Sequence, residues 1–150
     1  MKLHVVFATL LLSFSIPAQA DGVISRTFPS SIGAIKVETI AKGLEHPWGM
    51  TFMPNGNILV TERPGRIRIV SKKGKLSPPV EGVPAVYNQG QGGLLDVALD
   101  PAFATNRRVY LSFAEPGTNG TAGTAVYRAE LNAGGTGLVN GSVIFRVTPK

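Results

Sequence analysis

The sequence has 150 residues, 15 Lys and Arg against 9 Asp and Glu, and no cysteine. That length suits one ordinary domain, and the missing thiols exclude disulfides, thiolate metal sites, iron–sulfur clusters and cysteine nucleophiles. The +6 net charge is spread out except at Lys72, Lys73 and Lys75; with no basic patch interleaved with aromatics, no nucleic-acid partner is expected.

The chain opens with Lys2 and His4, then an apolar run from Val5 to Ile16, then Ala18-Gln19-Ala20. A positive start, a short apolar segment and a small-x-small site spell a secretory signal peptide over residues 1–20, with Asp21 as the new N-terminus. The run is shorter than the ~20 residues needed to cross a bilayer. An exported protein, periplasmic or secreted, is therefore expected, with no membrane span after cleavage. Residues 21–33 read as a linker.

From residue 34 onward, short β-branched runs lie between scattered glycines and prolines. Strands are predicted near 35–41, 48–53, 57–62, 66–71, 94–99, 108–114, 124–131 and 142–147. Pro54-Asn55-Gly56-Asn57 and Pro64-Gly65 supply tight turns. The cluster Lys72, Lys73 and Lys75 around Gly74 reads as a solvated hairpin turn. The stretches 116–123 and 132–137 read as loops. No segment of helical length carries a 3.6-residue apolar stripe, so the class is all-β.

An internal repeat refines that class. Trp48-Gly49-Met50-Thr51-Phe52-Met53-Pro54 aligns with Leu95-Asp96-Val97-Ala98-Leu99-Asp100-Pro101, an offset of 47 residues. A second strand follows each copy, Ile58-Leu59-Val60-Thr61 and then Val109-Tyr110-Leu111-Ser112, and a third follows each of those. A period in the forties with several strands per unit fits the blades of a β-propeller. A β-sandwich with similar hairpins is the competing architecture. Read as a propeller, the chain holds one lone strand, one blade and most of a second. Propellers close radially with about 4–8 blades, so an incomplete propeller is expected over residues 34–150.

The stretch with most chemical potential is Tyr87-Asn88-Gln89-Gly90-Gln91-Gly92-Gly93-Leu94-Leu95-Asp96. Glycines let a ligand approach the backbone, and a glutamine amide both donates and accepts, as a sugar hydroxyl does. A loop without a ligand is the plainer reading. It is no dinucleotide fingerprint, because Leu95 stands where the third glycine belongs. His46 reads as structural, at a turn into a strand. Trp48 reads as a core or blade-packing residue. Glu62-Arg63 reads as solvated or locally paired. Asp96 and Asp100 flank one strand but show no partner base, and Asp100-Pro101 is first a turn signal. Ser112 lacks a hydrolase context.

Taken together, Leu44-Glu45-His46-Pro47-Trp48-Gly49-Met50, Leu59-Val60-Thr61-Glu62-Arg63-Pro64-Gly65-Arg66 and Gln89-Gly90-Gln91-Gly92-Gly93-Leu94-Leu95-Asp96-Val97-Ala98-Leu99-Asp100-Pro101 resemble the opening of the glucose/sorbosone dehydrogenase family, in its soluble periplasmic aldose dehydrogenase group. Val143-Ile144-Phe145-Arg146 and Pro149-Lys150 extend the resemblance to the last residue. It implies a six-bladed β-propeller that oxidises the anomeric CH–OH of aldoses to lactones with pyrroloquinoline quinone and calcium, passing electrons to an acceptor. It implies that Gln91, in Gly90-Gln91-Gly92-Gly93-Leu94-Leu95, binds the sugar substrate. The family's catalytic histidine, quinone-holding residues and calcium ligands are expected beyond Lys150, so no catalytic, cofactor-binding or metal residue is expected within this chain, which alone is expected to be inactive. His46 does not match the catalytic motif. The alternative is a non-catalytic exported propeller that binds carbohydrate or protein.

Overall fold

A computed structural model of the protein describes residues 24–150; the signal peptide expected over residues 1–20 lies outside the described residues. Among the described residues there are nine strands and no long helix. The chain divides into two compact units at Glu38/Thr39.

In the first unit, β1 (Ser25–Phe28) pairs antiparallel with β2 (Ile35–Glu38), Ser25 opposite Glu38 and Phe28 opposite Ile35. The turn between them is closed by Gly33 N–H donating to Ser30 O at 3.2 Å and Ser30 Oγ donating to Gly33 O at 2.6 Å. Gly33 sits at φ +127°, where a side chain would be strained. The segment read as a linker thus contains a strand, and the strand at 35–38 is not alone. Ser25-Arg26-Thr27-Phe28 is short and mostly polar, which hides its pairing in the sequence.

The second unit holds two antiparallel sheets. The first has the order β3-β4-β5, from β3 (Pro47–Phe52), β4 (Ile58–Glu62) and β5 (Arg66–Val70). The second has the order β6-β7-β8-β9, from β6 (Leu94–Leu99), β7 (Arg108–Pro116), β8 (Ala122–Leu131) and β9 (Leu138–Arg146). The fuller blade is therefore the second, with four strands, and the first has three. One helical turn, α1 (Phe103–Asn106), fills the β6–β7 connection. The expected loop at 116–123 is shorter than read, since β8 already begins at Ala122. The lysine turn is as expected: Gly74 N–H donates to Ser71 O at 2.8 Å and Ser71 N–H to Lys75 O at 2.9 Å.

Period-two alternation places Val109, Leu111 and Phe113 of β7 inward, where all three are buried. They join Leu59 and Ile67 from the first sheet with Leu94, Val97, Ala125 and Leu131 in one apolar cluster. A cluster of that composition is the main driving force holding the two sheets together.

The repeat is real, and it extends to its irregularities. The β3–β4 register shifts between Pro47 and Met50, and the β6–β7 register shifts between Leu94 and Val97, the same positions 47 residues apart. Each bulge removes ladder partners from the inner strand, and in each blade a hydroxyl on the second strand replaces one. Gly49 N–H donates to Thr61 Oγ1 at 2.9 Å, and Asp96 N–H donates to Ser112 Oγ at 3.0 Å. Thr61, fully buried, also donates to Leu95 O at 2.5 Å, so a single hydroxyl ties the bulge of one sheet to that of the next. Gly49 permits this approach. A Cβ there would stand 2.5 Å from Asp96 Oδ1 and 2.9 Å from its Cα.

Trp48 is not in the core. It is 52% exposed and shares an apolar face with Met50 and Phe52, which are also exposed.

Candidate functional site

β4 ends at Glu62, and the Glu62-Arg63-Pro64-Gly65-Arg66 turn follows, closed by Gly65 N–H donating to Glu62 O at 2.9 Å. Gly65 takes φ +105°, which the turn requires. Glu62 is wholly buried, which the expected solvated arrangement did not foresee; its local pairing was foreseen. Its carboxylate accepts from Arg66 Nε at 2.7 Å and from Glu45 N–H at 2.5 Å, with Arg68 Nη1 at 3.7 Å. Arg66 also donates to Glu45 Oε2 at 2.7 Å. Burial alone would push the Glu62 carboxyl up; the Arg66 hydrogen bond, the Glu45 amide and the charges of Arg66 and Arg68 outweigh it and hold the group below its ordinary 4.5. The same bonds raise Arg66 above its ordinary value. This buried anchor fixes the end of β4 from which Arg63 projects. Its sequence signal was the run of arginines at 63, 66 and 68 after Glu62.

The glycine-rich loop Tyr87–Gly93 leads directly into β6. Its two ends are held by one residue of β7: Tyr87 N–H donates to Ala114 O at 2.8 Å, and Ala114 N–H donates to Gly93 O at 2.9 Å. The tip is a turn closed by Gly92 N–H donating to Gln89 O at 2.8 Å, with Gly90 at φ +54°. Gln91 lies on this tip, exposed. Its amide makes no hydrogen bond among the described residues. Arg63 Nη1 donates to Gly90 O at 2.5 Å and lies 3.3 Å from Gly92 O, the carbonyls on either side of Gln91. The Arg63 backbone is fixed as well: its N–H donates to His46 O at 3.0 Å and its O accepts from Leu94 N–H at 2.9 Å. Gly93, at φ +137°, packs against Arg63 O so closely that a Cβ would overlap it.

His46 occupies the same end of the sheets and serves through its backbone. It adopts φ +46° immediately before Pro47, a sparsely populated state for a non-glycine residue. The other residues that the sequence singled out are not brought to this loop. The Asp100 carboxylate accepts from Asn106 Nδ2, Ala102 N–H and Tyr110 Oη, each at 2.9 Å, and these bonds hold it below its ordinary 3.8 while raising the Tyr110 phenol. Asp96 accepts from its neighbour's amide, Val97 N–H, at 2.8 Å. The two aspartates share no partner and form no acid–base pair.

Uncharged amide and carbonyl groups on a glycine loop, braced by a guanidinium, suit recognition of a polyhydroxylated neutral molecule. Among the described residues no group of three or more His, Cys, Asp or Glu could hold a metal ion, and the loop has no cationic cluster to receive a polycarboxylate cofactor. No helix among the described residues is long and apolar enough to cross a membrane.

Two antiparallel sheets that repeat their bulges at a 47-residue spacing are blades of a partial β-propeller. Residues 44–150 match the model of the Glucose / Sorbosone dehydrogenase family, and the chain belongs to that family. Among curated proteins it is 43% identical to the aldose sugar dehydrogenase YliI of Escherichia coli over 117 residues, covering 77% of this chain and 32% of that protein. Among solved structures, a glucose dehydrogenase crystal structure superposes with a TM-score of 0.70 at 56% identity, covering 72% of this chain and 32% of the other. The pyrroloquinoline-quinone-bound aldose sugar dehydrogenase of Streptomyces coelicolor gives 0.66 at 28% identity, covering 89% and 37%. The chain thus spans about a third of the length of the proteins it matches.

Proposed function

We propose that this chain supplies the first blades of an exported aldose dehydrogenase that uses pyrroloquinoline quinone and calcium, and that its own contribution to the reaction is a sugar contact at Gln91. The observation that carries the reading is the placement of Gln91: exposed, without an internal hydrogen-bond partner, on a glycine turn anchored at both ends by Ala114. A free amide on a fixed loop can donate to one sugar hydroxyl oxygen and accept from another without taking up a proton near the reacting carbon. The quinone would supply the hydride acceptor for the anomeric carbon. Its holding and the proton abstraction are assigned, on the family resemblance, to other parts of the family's fold. What this segment does is orient the sugar.

The test uses a polypeptide that carries this segment together with the remaining two-thirds of the family's length, loaded with the quinone and calcium. Dye reduction should depend on aldose. Losing one neutral hydrogen bond costs about 0.5–1.5 kcal/mol, so Gln91→Ala should lower kcat/KM for aldoses roughly three- to tenfold while leaving quinone affinity unchanged. Wild-type kinetics for Gln91→Ala on every aldose tried would refute the sugar contact.

A further inference from the structure

Gln91 can select a sugar hydroxyl only if its backbone is held still, and the turn that carries it has little to hold it. Gly90, Gly92 and Gly93 surround it, and glycine has the largest conformational freedom of any residue. The Ala114 bonds secure residues 87 and 93, the ends of the loop, and a single backbone bond, Gly92 N–H to Gln89 O at 2.8 Å, closes the tip. One charged side chain reaches that tip. The Arg63 guanidinium lies 2.5 Å from Gly90 O and 3.3 Å from Gly92 O, bracketing Gln91 from the residue before and the residue after. No carboxylate among the described residues pairs with Arg63, so its charge is directed wholly at backbone carbonyls. A charged donor makes stronger hydrogen bonds than a neutral one, and the single nitrogen Nη1 serves both carbonyls. The base of the Arg63 side chain is itself held, because its backbone N–H and O are bonded to His46 and Leu94 and buried Glu62, paired with Arg66, anchors the turn beside it.

We infer that Arg63 is a positioning residue for Gln91: it does not touch the sugar but fixes the orientation in which the Gln91 amide meets it. The inference rests on the sugar-contact reading above. Removing the guanidinium leaves the Gly90–Gly92 tip with only its Gly92–Gln89 backbone bond, while the Ala114 bonds keep the loop ends in place. The variant therefore folds, binds the quinone, and loses the part of sugar recognition that passes through Gln91.

The test is a double-mutant cycle in the same quinone-loaded, full-propeller polypeptide, with Arg63→Ala, Gln91→Ala and the pair. Arg63→Ala should raise KM for aldoses about three- to tenfold, with a smaller change in kcat and none in quinone affinity. In the Gln91→Ala background the same substitution should change kcat/KM less than twofold, because nothing remains for Arg63 to position. Arg63→Lys, which keeps a charged donor but loses the rigid planar head that aims it, should recover part of the loss. Amide exchange at Gln91 and Gly92 should speed up in Arg63→Ala, with Gly49 and the strand amides of β7 unchanged. If Gln91→Ala alone has no effect, the sugar contact itself is wrong, whatever Arg63 does. If Gln91→Ala has its effect and Arg63→Ala either has none or multiplies it in full, the positioning role is overturned. Should Arg63→Ala fail to fold, the cycle run with Arg63→Lys and Arg63→Gln decides the matter by the same criteria.

Discussion

Thr61 offers the sharpest test of how the two blades are joined. Its hydroxyl accepts from Gly49 N–H at 2.9 Å and donates its single proton to Leu95 O at 2.5 Å, and the side chain is fully buried. Both partners sit in bulges, so neither has a ladder bond to fall back on. Thr61→Val keeps the shape and removes both bonds. Leaving the Gly49 amide unpaired costs about 1–3 kcal/mol, and the lost bond to Leu95 adds about 0.5–1.5. A total near 3 kcal/mol lowers the folding equilibrium constant roughly 150-fold. Thr61→Ser keeps both bonds and loses one buried methyl, about 0.8 kcal/mol. The expected order of stability is wild type, then Ser, then Val. Urea unfolding followed by the fluorescence of Trp48, the only tryptophan, reads it out; the midpoint should fall with the slope unchanged. A Val variant as stable as the Ser variant, or more so, would show that packing rather than the hydroxyl joins the sheets.

Other outcomes follow from the same geometry. Gly93→Ala should destabilise by more than the ~1–3 kcal/mol of backbone strain alone, since its Cβ would overlap Arg63 O, whereas Gly90→Ala, with nothing within 4 Å, should show only the strain; thermal melts separate the two. Because Glu62 is held below its ordinary 4.5, its stabilising contribution is in place above that value and is lost as pH falls through the depressed folded value; Glu62→Gln should flatten the acid limb of a stability–pH profile. Replacing Met50 and Phe52 with Ser on the exposed apolar face should reduce self-association of this segment in light scattering. N-terminal sequencing of the exported protein should find Asp21 first, and an intact Met1 or Lys2 would refute signal cleavage.

Most strands were legible: β5 and β7 write their period into the sequence, as Ile67 and Ile69 or Val109, Leu111 and Phe113 do, whereas β4 shows as a continuous apolar run, Ile58-Leu59-Val60, buried residue after residue. The repeat was legible too, down to the alignment of Thr61 with Ser112, whose shared task became apparent only with the bulges in view. What sequence could not supply depends on distance. Arg63 meets Gly90 across 27 residues, and nothing local marks that contact. Glu62 looked like a surface residue because charge usually is; three nearby arginines were the sign that it could be buried. β1 escaped notice because its pairing is set by the Ser30–Gly33 turn rather than by apolar alternation.

The 47-residue offset has a genetic reading. Joining Pro47 directly to Leu95 would remove residues 48–94 and set Pro47 in the place of Leu94, with bulge, pleat and the Ser112 hydroxyl all in phase. A deletion one residue longer or shorter would turn every later side chain of the strand to the opposite face. Unequal crossing-over between the two copies therefore gains or loses a blade in one event at this spacing and ruins the sheet at its neighbours. Blade number in such a fold can change by whole units without passing through a broken intermediate.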